Sequence, residues 1–153
     1  MTTLIATRGL PGSGKTTWTH EQLRAAEPGQ LAACSRDEIR RMLHNATPYL
    51  PVTERQVTLV QHATIRTLLQ VGVSVIVHDT NLIPNHLHAL GDLARRCAVE
   101  FNIQDFTHVP LEVCLERDQR RENPVGSWFI RQAHEQLLAV ASTTSGYGSK
   151  AGS

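Results

Sequence analysis

Gly9-Leu-Pro-Gly-Ser-Gly-Lys-Thr16 carries the most specific chemistry in this sequence. A glycine, four residues and then Gly-Lys-Thr lets the backbone wrap closely around an anion. The N–H groups of Gly12, Ser13 and Gly14 then point at phosphate oxygens. Lys15 would reach the β- and γ-phosphates, the Thr16 hydroxyl would ligate Mg²⁺, and Thr17 would stand in the first turn of a following helix. The blander alternative is a Gly/Pro-rich surface turn. It is disfavoured if a strand precedes the segment and a helix follows.

Three further clusters suit phosphoryl transfer. In Ser35-Arg-Asp-Glu-Ile-Arg40, Asp37 falls in the first turn of a helix, where a carboxylate can take the proton of an attacking hydroxyl. Arg40, three residues on, shares that helix surface and could clamp an acceptor phosphate with two parallel hydrogen bonds. Acidic residues also favour helix starts for reasons of dipole alone. Asp79-Thr-Asn81 ends an apolar run; Asp79 there could bind Mg²⁺, orient Arg40, or simply mark a turn. Arg117 and Arg121 are four apart on one helix face and precede a breaker, Glu122–Gly126, so they read either as a lid closing over a triphosphate or as a solvated face shared with Glu116 and Asp118.

These residues act together only if the chain brings them to one edge. Short apolar runs at Thr2–Thr7, Leu31–Cys34, Val73–Val77 and Ala98–Phe106 read as strands. Helices are expected over Lys15–Ala26, Arg36–Asn45, Thr53–Val71, Pro84–Cys97, Leu111–Arg121 and Ser127–Val140, with Ser35 and Glu38 forming a capping box. Val57, Val60, Thr64, Leu68 and Val71 mark the apolar face of the long third helix, and Thr47–Pro51 reads as loop. Alternation of strands and helices predicts an α/β fold of the P-loop NTPase type: a four-stranded parallel sheet covered on both faces, with a helical lid. Ligands in such folds sit beyond the carboxyl ends of the strands, where the first three clusters fall. One domain over residues 1–141 and a flexible Ser/Gly-rich tail over 142–153 are expected.

The chain has 153 residues, 41% of them apolar and 19% charged, with a formal charge of +1. That balance excludes a protein that coats nucleic acid by bulk charge, and no apolar run is long enough to span a membrane. Three cysteines without a CxxC pair indicate neither a disulfide framework nor a zinc ribbon. A cytoplasmic domain is the expectation. The GTPase signatures DxxG and NKxD are absent, so a phosphoryl acceptor is sought instead.

With these pieces in place, the chain resembles the kinase half of bacteriophage polynucleotide kinase-phosphatase. The resemblance lies in Gly9–Trp18, Ser35-Arg-Asp-Glu-Ile-Arg40, Val75-Ile-Val-His-Asp-Thr-Asn-Leu82 and Glu116-Arg-Asp-Gln-Arg-Arg121, in order, over about residues 2–140. It implies transfer of the γ-phosphate of ATP, or another NTP, with Mg²⁺ to the 5′-hydroxyl end of DNA or RNA in end repair. Lys15, Asp37 and Arg121 then match catalytic positions. Gly12, Ser13, Gly14, Thr16, Thr17 and Arg117 fall on the donor side; Arg40, Asp79 and Asn81 fall with Asp37 on the acceptor side. Glu38 and Ser35 depart from the phage pattern, which has aspartate and asparagine there. The resemblance also implies an oligomer and a phosphatase half, whose DxDGT-type motif this chain does not contain. A P-loop kinase of a small metabolite, antibiotic or sugar nucleotide (zeta-toxin-like), or a non-catalytic ATP-binding module, fits the same motifs less fully.

Overall fold

The computed structural model describes residues 1–45 and 49–147, the side chains of 143–147 excepted. Four strands, β1 (Thr3–Arg8), β2 (Leu31–Cys34), β3 (Ser74–Val77) and β4 (Glu100–Asp105), form one parallel sheet in the order β2-β3-β1-β4. Leu4 lies opposite Val75 on one side and Phe101 on the other, so the apolar positions of three strands point to a common face. Helices α1 (Lys15–Ala25), α2 (Arg36–His44), α3 (Pro51–Gln70), α4 (Pro84–Arg96), α5 (Leu111–Gln119) and α6 (Ser127–Tyr147) complete the chain.

Two apolar clusters hold these elements. Leu4, Ala6, Val75 and Val77 of the sheet pack with Ile65 and Leu69 of α3 and with Leu90, Leu93 and Ala94 of α4. Leu10, Leu82, Cys114 and Ile130 form a second cluster that joins the first loop to α5 and α6. This second cluster fixes the last two helices against the carboxyl edge of the sheet. Among the described residues no helix is long and apolar enough to cross a membrane.

Several sequence expectations are corrected. The buried stripe of α3 is Val57, Gln61, Ile65 and Leu69, about one residue round from the stripe expected from the valines; Val71 is 71% exposed. Coverage of both sheet faces does not extend to β4, where every residue except Phe101 is exposed. Glu100, Asn102 and Gln104 alternate with Phe101 and Ile103 there, as suits a half-solvated edge strand. Pro51 belongs to α3 rather than to a loop, taking the first helical position where its missing N–H costs nothing; 47–48 of the expected loop lie outside the described residues. Helix α6 runs on to Tyr147, past the expected start of the tail at 142; the Ser142 hydroxyl donates to the Ala139 carbonyl, so this polar stretch is accommodated in the helix. Residues 148–153 of that tail lie outside the described residues.

Candidate functional site

The loop between β1 and α1 has the backbone its glycines allow. Gly12 (φ 83°) and Gly14 (φ 103°) occupy the left-handed region, and Gly14 is the N-cap of α1. A side chain at Gly12 would also meet the Cys114 carbonyl oxygen at 2.5 Å, because the first turns of α5 press directly on the loop. The turn is closed by Ser13 N–H on the Leu10 carbonyl (3.1 Å). The Ser13 N–H, expected on a phosphate, is thereby committed to the loop itself; the cradle's remaining donors are main-chain N–H groups at the N-terminus of α1.

Lys15 lies in this cradle, 7% exposed. Its ammonium donates to the carbonyls of Gly9 (2.9 Å) and Leu10 (2.5 Å) and to the Ser13 hydroxyl (3.3 Å). Burial lowers its pKa to about 8, since the charged form loses hydration that these neutral acceptors do not replace in full. The expected reach to β/γ-phosphates therefore requires Lys15 to exchange loop oxygens for phosphate oxygens. Thr16 and Thr17 are exposed at the start of α1, with the Thr16 hydroxyl available to a cation, as the donor set for Mg²⁺ requires.

A cavity of about 590 Å³ opens beside this loop, lined by Gly12–Gly14, Thr17, Trp18, Phe106, Arg117 and Arg121 among others. Arg117 Nη1 donates to the Gly12 carbonyl at 3.4 Å. Both arginines expected on the donor side are therefore gathered there, although α5 ends at Gln119 and Arg121 stands beyond it. Arg120 faces away, paired with Glu116 at 2.6 Å on an exposed surface. The segment Glu122–Gly126 is not a free flap: the Asp118 carboxylate accepts hydrogen bonds from Val125 N–H and Gly126 N–H, each 2.9 Å. Asp118 itself, on a solvated face in one of the two sequence readings, is 3% exposed.

The acceptor side is built on α2. Ser35 caps the helix by accepting the Glu38 N–H at 3.2 Å, which turns Asp37 outward with its side chain 77% exposed. Arg40 Nη1 donates to Asp37 Oδ1 at 2.6 Å, as the three-residue spacing predicts. The rest of the Arg40 guanidinium was not legible: Nε and Nη2 donate to the two oxygens of Glu54 at 2.6 and 2.9 Å. Arg36 adds a third guanidinium bond to Glu54 at 2.9 Å, and the Arg40 guanidinium lies over the Tyr49 ring, 4.2 Å from its centroid. Hydrogen bonds from Arg40 first, then from Arg36, lower the Glu54 pKa to about 2. Arg40 in turn is raised above its usual value, mainly by its bond to Glu54.

Asp79 and Asn81 hold the framework of the site. Asp79 Oδ1 accepts the Arg36 N–H and Oδ2 accepts Gln61 Nε2, both at 2.8 Å, so this carboxylate pins the first turn of α2 to β3 and α3. Burial pushes its carboxyl up. Asn81 (φ 47°), 4% exposed, donates to the Thr7 carbonyl at 2.7 Å and ties the end of β3 to β1. Substrate contact is expected of both residues; here both Asp79 carboxylate oxygens and the Asn81 Nδ2 hold partners within the fold.

Donor and acceptor sides meet at Lys15. Asp37, Asp79 and Arg121 all lie close enough to act on its charge. The arrangement gathers an exposed carboxylate and two arginines around one lysine-bearing loop. Sequence reading missed the roles of Glu54, Gln61 and Asp118, although Gln61 and Asp118 lie on the buried stripes of their helices and Glu54 stands one turn before that of α3.

Known structures share this architecture. A Pnkp1/Rnl/Hen1 RNA repair complex contains a chain with 22% identity and a TM-score of 0.74, covering 93% of this chain and 46% of that one. This chain thus spans under half the length of that protein. Kti12 of Chaetomium thermophilum, solved with ADP-AlF3, matches at 21% identity and TM-score 0.61 over 89% of this chain and 78% of its own. The APS kinase CysC of Mycobacterium tuberculosis, solved with AMPPNP and APS, matches at 17% identity and TM-score 0.53 over 94% and 98%. These likenesses show the α/β fold of P-loop kinases. A family model described as an AAA domain matches residues 4–143, nearly the whole chain, and the protein belongs to that AAA domain family.

Proposed function

We propose that this protein is a 5′-hydroxyl polynucleotide kinase that transfers the γ-phosphate of ATP or another NTP to the 5′-end of DNA or RNA, in nucleic-acid end repair. The observation that carries the reading is the exposed Asp37 carboxylate, held by Arg40 and close enough to Lys15, as Arg121 also is, to act on its charge. The order of its four motifs supports the polynucleotide class, as does the likeness to a chain of an RNA repair complex.

In this mechanism the β- and γ-phosphates lie on the N–H groups of Gly12 and Gly14, while the Ser13 N–H keeps the Leu10 carbonyl, and Lys15 turns from the loop carbonyls to the phosphates. Mg²⁺, held at Thr16, would neutralise charge on the phosphates. The 5′-hydroxyl attacks in line: a bond forms between its oxygen and the γ-phosphorus, and the bond from that phosphorus to the bridging oxygen of ADP breaks. Asp37 takes the hydroxyl proton, an assistance worth about 10²–10⁴ in rate. Arg117 and Arg121 face the charge that develops on the leaving side.

A second reading has its own support. Because Glu54 occupies the side-on fork of Arg40, a phosphate next to the attacking hydroxyl would meet only the remaining Nη protons of that side chain. A small polyol or sugar-nucleotide acceptor does not need that contact. The deciding experiment offers γ-labelled ATP and Mg²⁺ with 5′-hydroxyl DNA, 5′-hydroxyl RNA and 5′-phosphorylated controls, using wild-type and Asp37→Asn protein. Label confined to 5′-hydroxyl strands and lost in Asp37→Asn bears out the polynucleotide reading. ATP binding with no labelled strand overturns it in favour of small acceptors.

A further inference from the structure

Asp118 shapes the donor side in a way that no motif announces. It shares the apolar stripe of α5 with Leu111, Cys114 and Leu115, and its carboxylate is buried at the junction with α6. Oδ1 accepts the Val125 N–H and Oδ2 the Gly126 N–H, while its own carbonyl accepts the Arg121 N–H at 3.1 Å. Gly126 (φ 104°) then opens α6 through the Ile130 N–H on its carbonyl. One residue thus fixes the end of α5, the path of the next segment and the start of α6. The Arg121 guanidinium stands 3.9 Å from Oδ1, beyond hydrogen-bond distance but within charge attraction. It can leave for a phosphate while the carboxylate keeps both main-chain bonds.

We propose that Asp118 is the positioning residue for recognition of the γ-phosphate: it sets the backbone that carries Arg121 at the mouth of the donor cavity. It also holds that guanidinium there, without a committed hydrogen bond, until a triphosphate arrives. The inference rests on the donor half of the proposed function, an NTP in the cradle, and not on the identity of the acceptor.

The test compares Mg²⁺-ADP with the Mg²⁺ complex of β,γ-imido ATP by calorimetry on the full chain, with melting temperatures as a check of folding. In Asp118→Ala the preference for triphosphate over diphosphate is expected to fall by about tenfold, with ADP affinity changed less than about twofold. Arg121→Ala should lose the same preference, and the double variant should lose no more, because both substitutions remove one interaction. Asp118→Asn keeps an acceptor for one of the two N–H groups, so its loss should be intermediate. It carries the test alone if the alanine variant does not fold. Equal weakening of both nucleotides, an unchanged ratio, additive losses, or tighter triphosphate binding once the negative charge is gone would each overturn the proposal. Wild-type protein that binds neither nucleotide would instead overturn the donor reading beneath it.

Discussion

A proton should enter the protein when a nucleotide binds at alkaline pH, and Lys15 is its destination. In this loop the ammonium is buried on carbonyl and hydroxyl oxygens, with a pKa of about 8. Polyphosphate oxygens replace neutral acceptors with anionic ones, which returns the pKa to its usual value of about 10.4 or above. At pH 9 the free loop then holds roughly a tenth of a charge on Lys15, and the complex nearly a full one, an uptake of about 0.9 protons per nucleotide. At pH 7 the uptake falls to about 0.1. Affinity should accordingly weaken about tenfold per pH unit above 8, or about 1.4 kcal/mol per unit. ADP titrations by calorimetry at pH 9, in buffers of different ionisation enthalpy, read the proton number as a slope; the phosphates of ADP are fully ionised there and add nothing. Lys15→Arg keeps a cation that does not titrate and should abolish the slope. A slope near zero in the wild type, or one that survives in Lys15→Arg, would refute the argument. The same shift acts on folding. With its folded pKa below the unfolded one, Lys15 makes the ligand-free protein gain stability as pH rises from about 8 towards 10.5.

Other consequences are simpler to check. Glu54, at about 2 against 4.5 when unpaired, contributes stability that is present above pH 4.5 and is lost as pH falls towards 2. The upper bound is about 3 kcal/mol, reduced by screening because the side chain is 26% exposed; acid titration of Glu54→Gln by denaturant melts should show a flatter curve over that window. Gly12→Ala would place a methyl against the Cys114 carbonyl at a positive φ, so a loss of about 1–3 kcal/mol and of ATP binding is expected, read by thermal melts and calorimetry. Ile65→Ala, a cavity at a fully buried position between α3 and the sheet, should cost about 2–5 kcal/mol in urea unfolding with ADP affinity kept.

What could be read from residues alone was whatever depends on short-range spacing. The phosphate loop is defined within eight residues, β2 within four, and the Asp37–Arg40 pair within one helical turn. Partnerships between elements were not legible, because nothing local encodes them. Glu54 meets Arg36 and Arg40 only after α2 and α3 fold together, and Asp118 meets its partners only across the α5–α6 junction. A signal was nevertheless present. Glu54 and Gln61 extend the buried series Val57, Ile65, Leu69, and Asp118 continues Leu111, Cys114, Leu115. A polar side chain on an apolar stripe must find partners inside the fold, and each of these three does. Reading the stripe of α3 from its valines placed it one residue away and hid the first two.

The close approach of α5 to the phosphate loop also has a kinetic meaning. A carbonyl that would lie 2.5 Å from a side chain at Gly12 shows that α5 already rests on the cradle, so the helix has no inward distance to travel. Arg117 is therefore carried on the cradle itself and Arg121 just beyond the end of that helix, so engaging a nucleotide asks for rotation of long side chains, a matter of picoseconds to nanoseconds. It does not ask for closure of a segment over microseconds to milliseconds. Closure of the donor side should then not limit turnover in this protein.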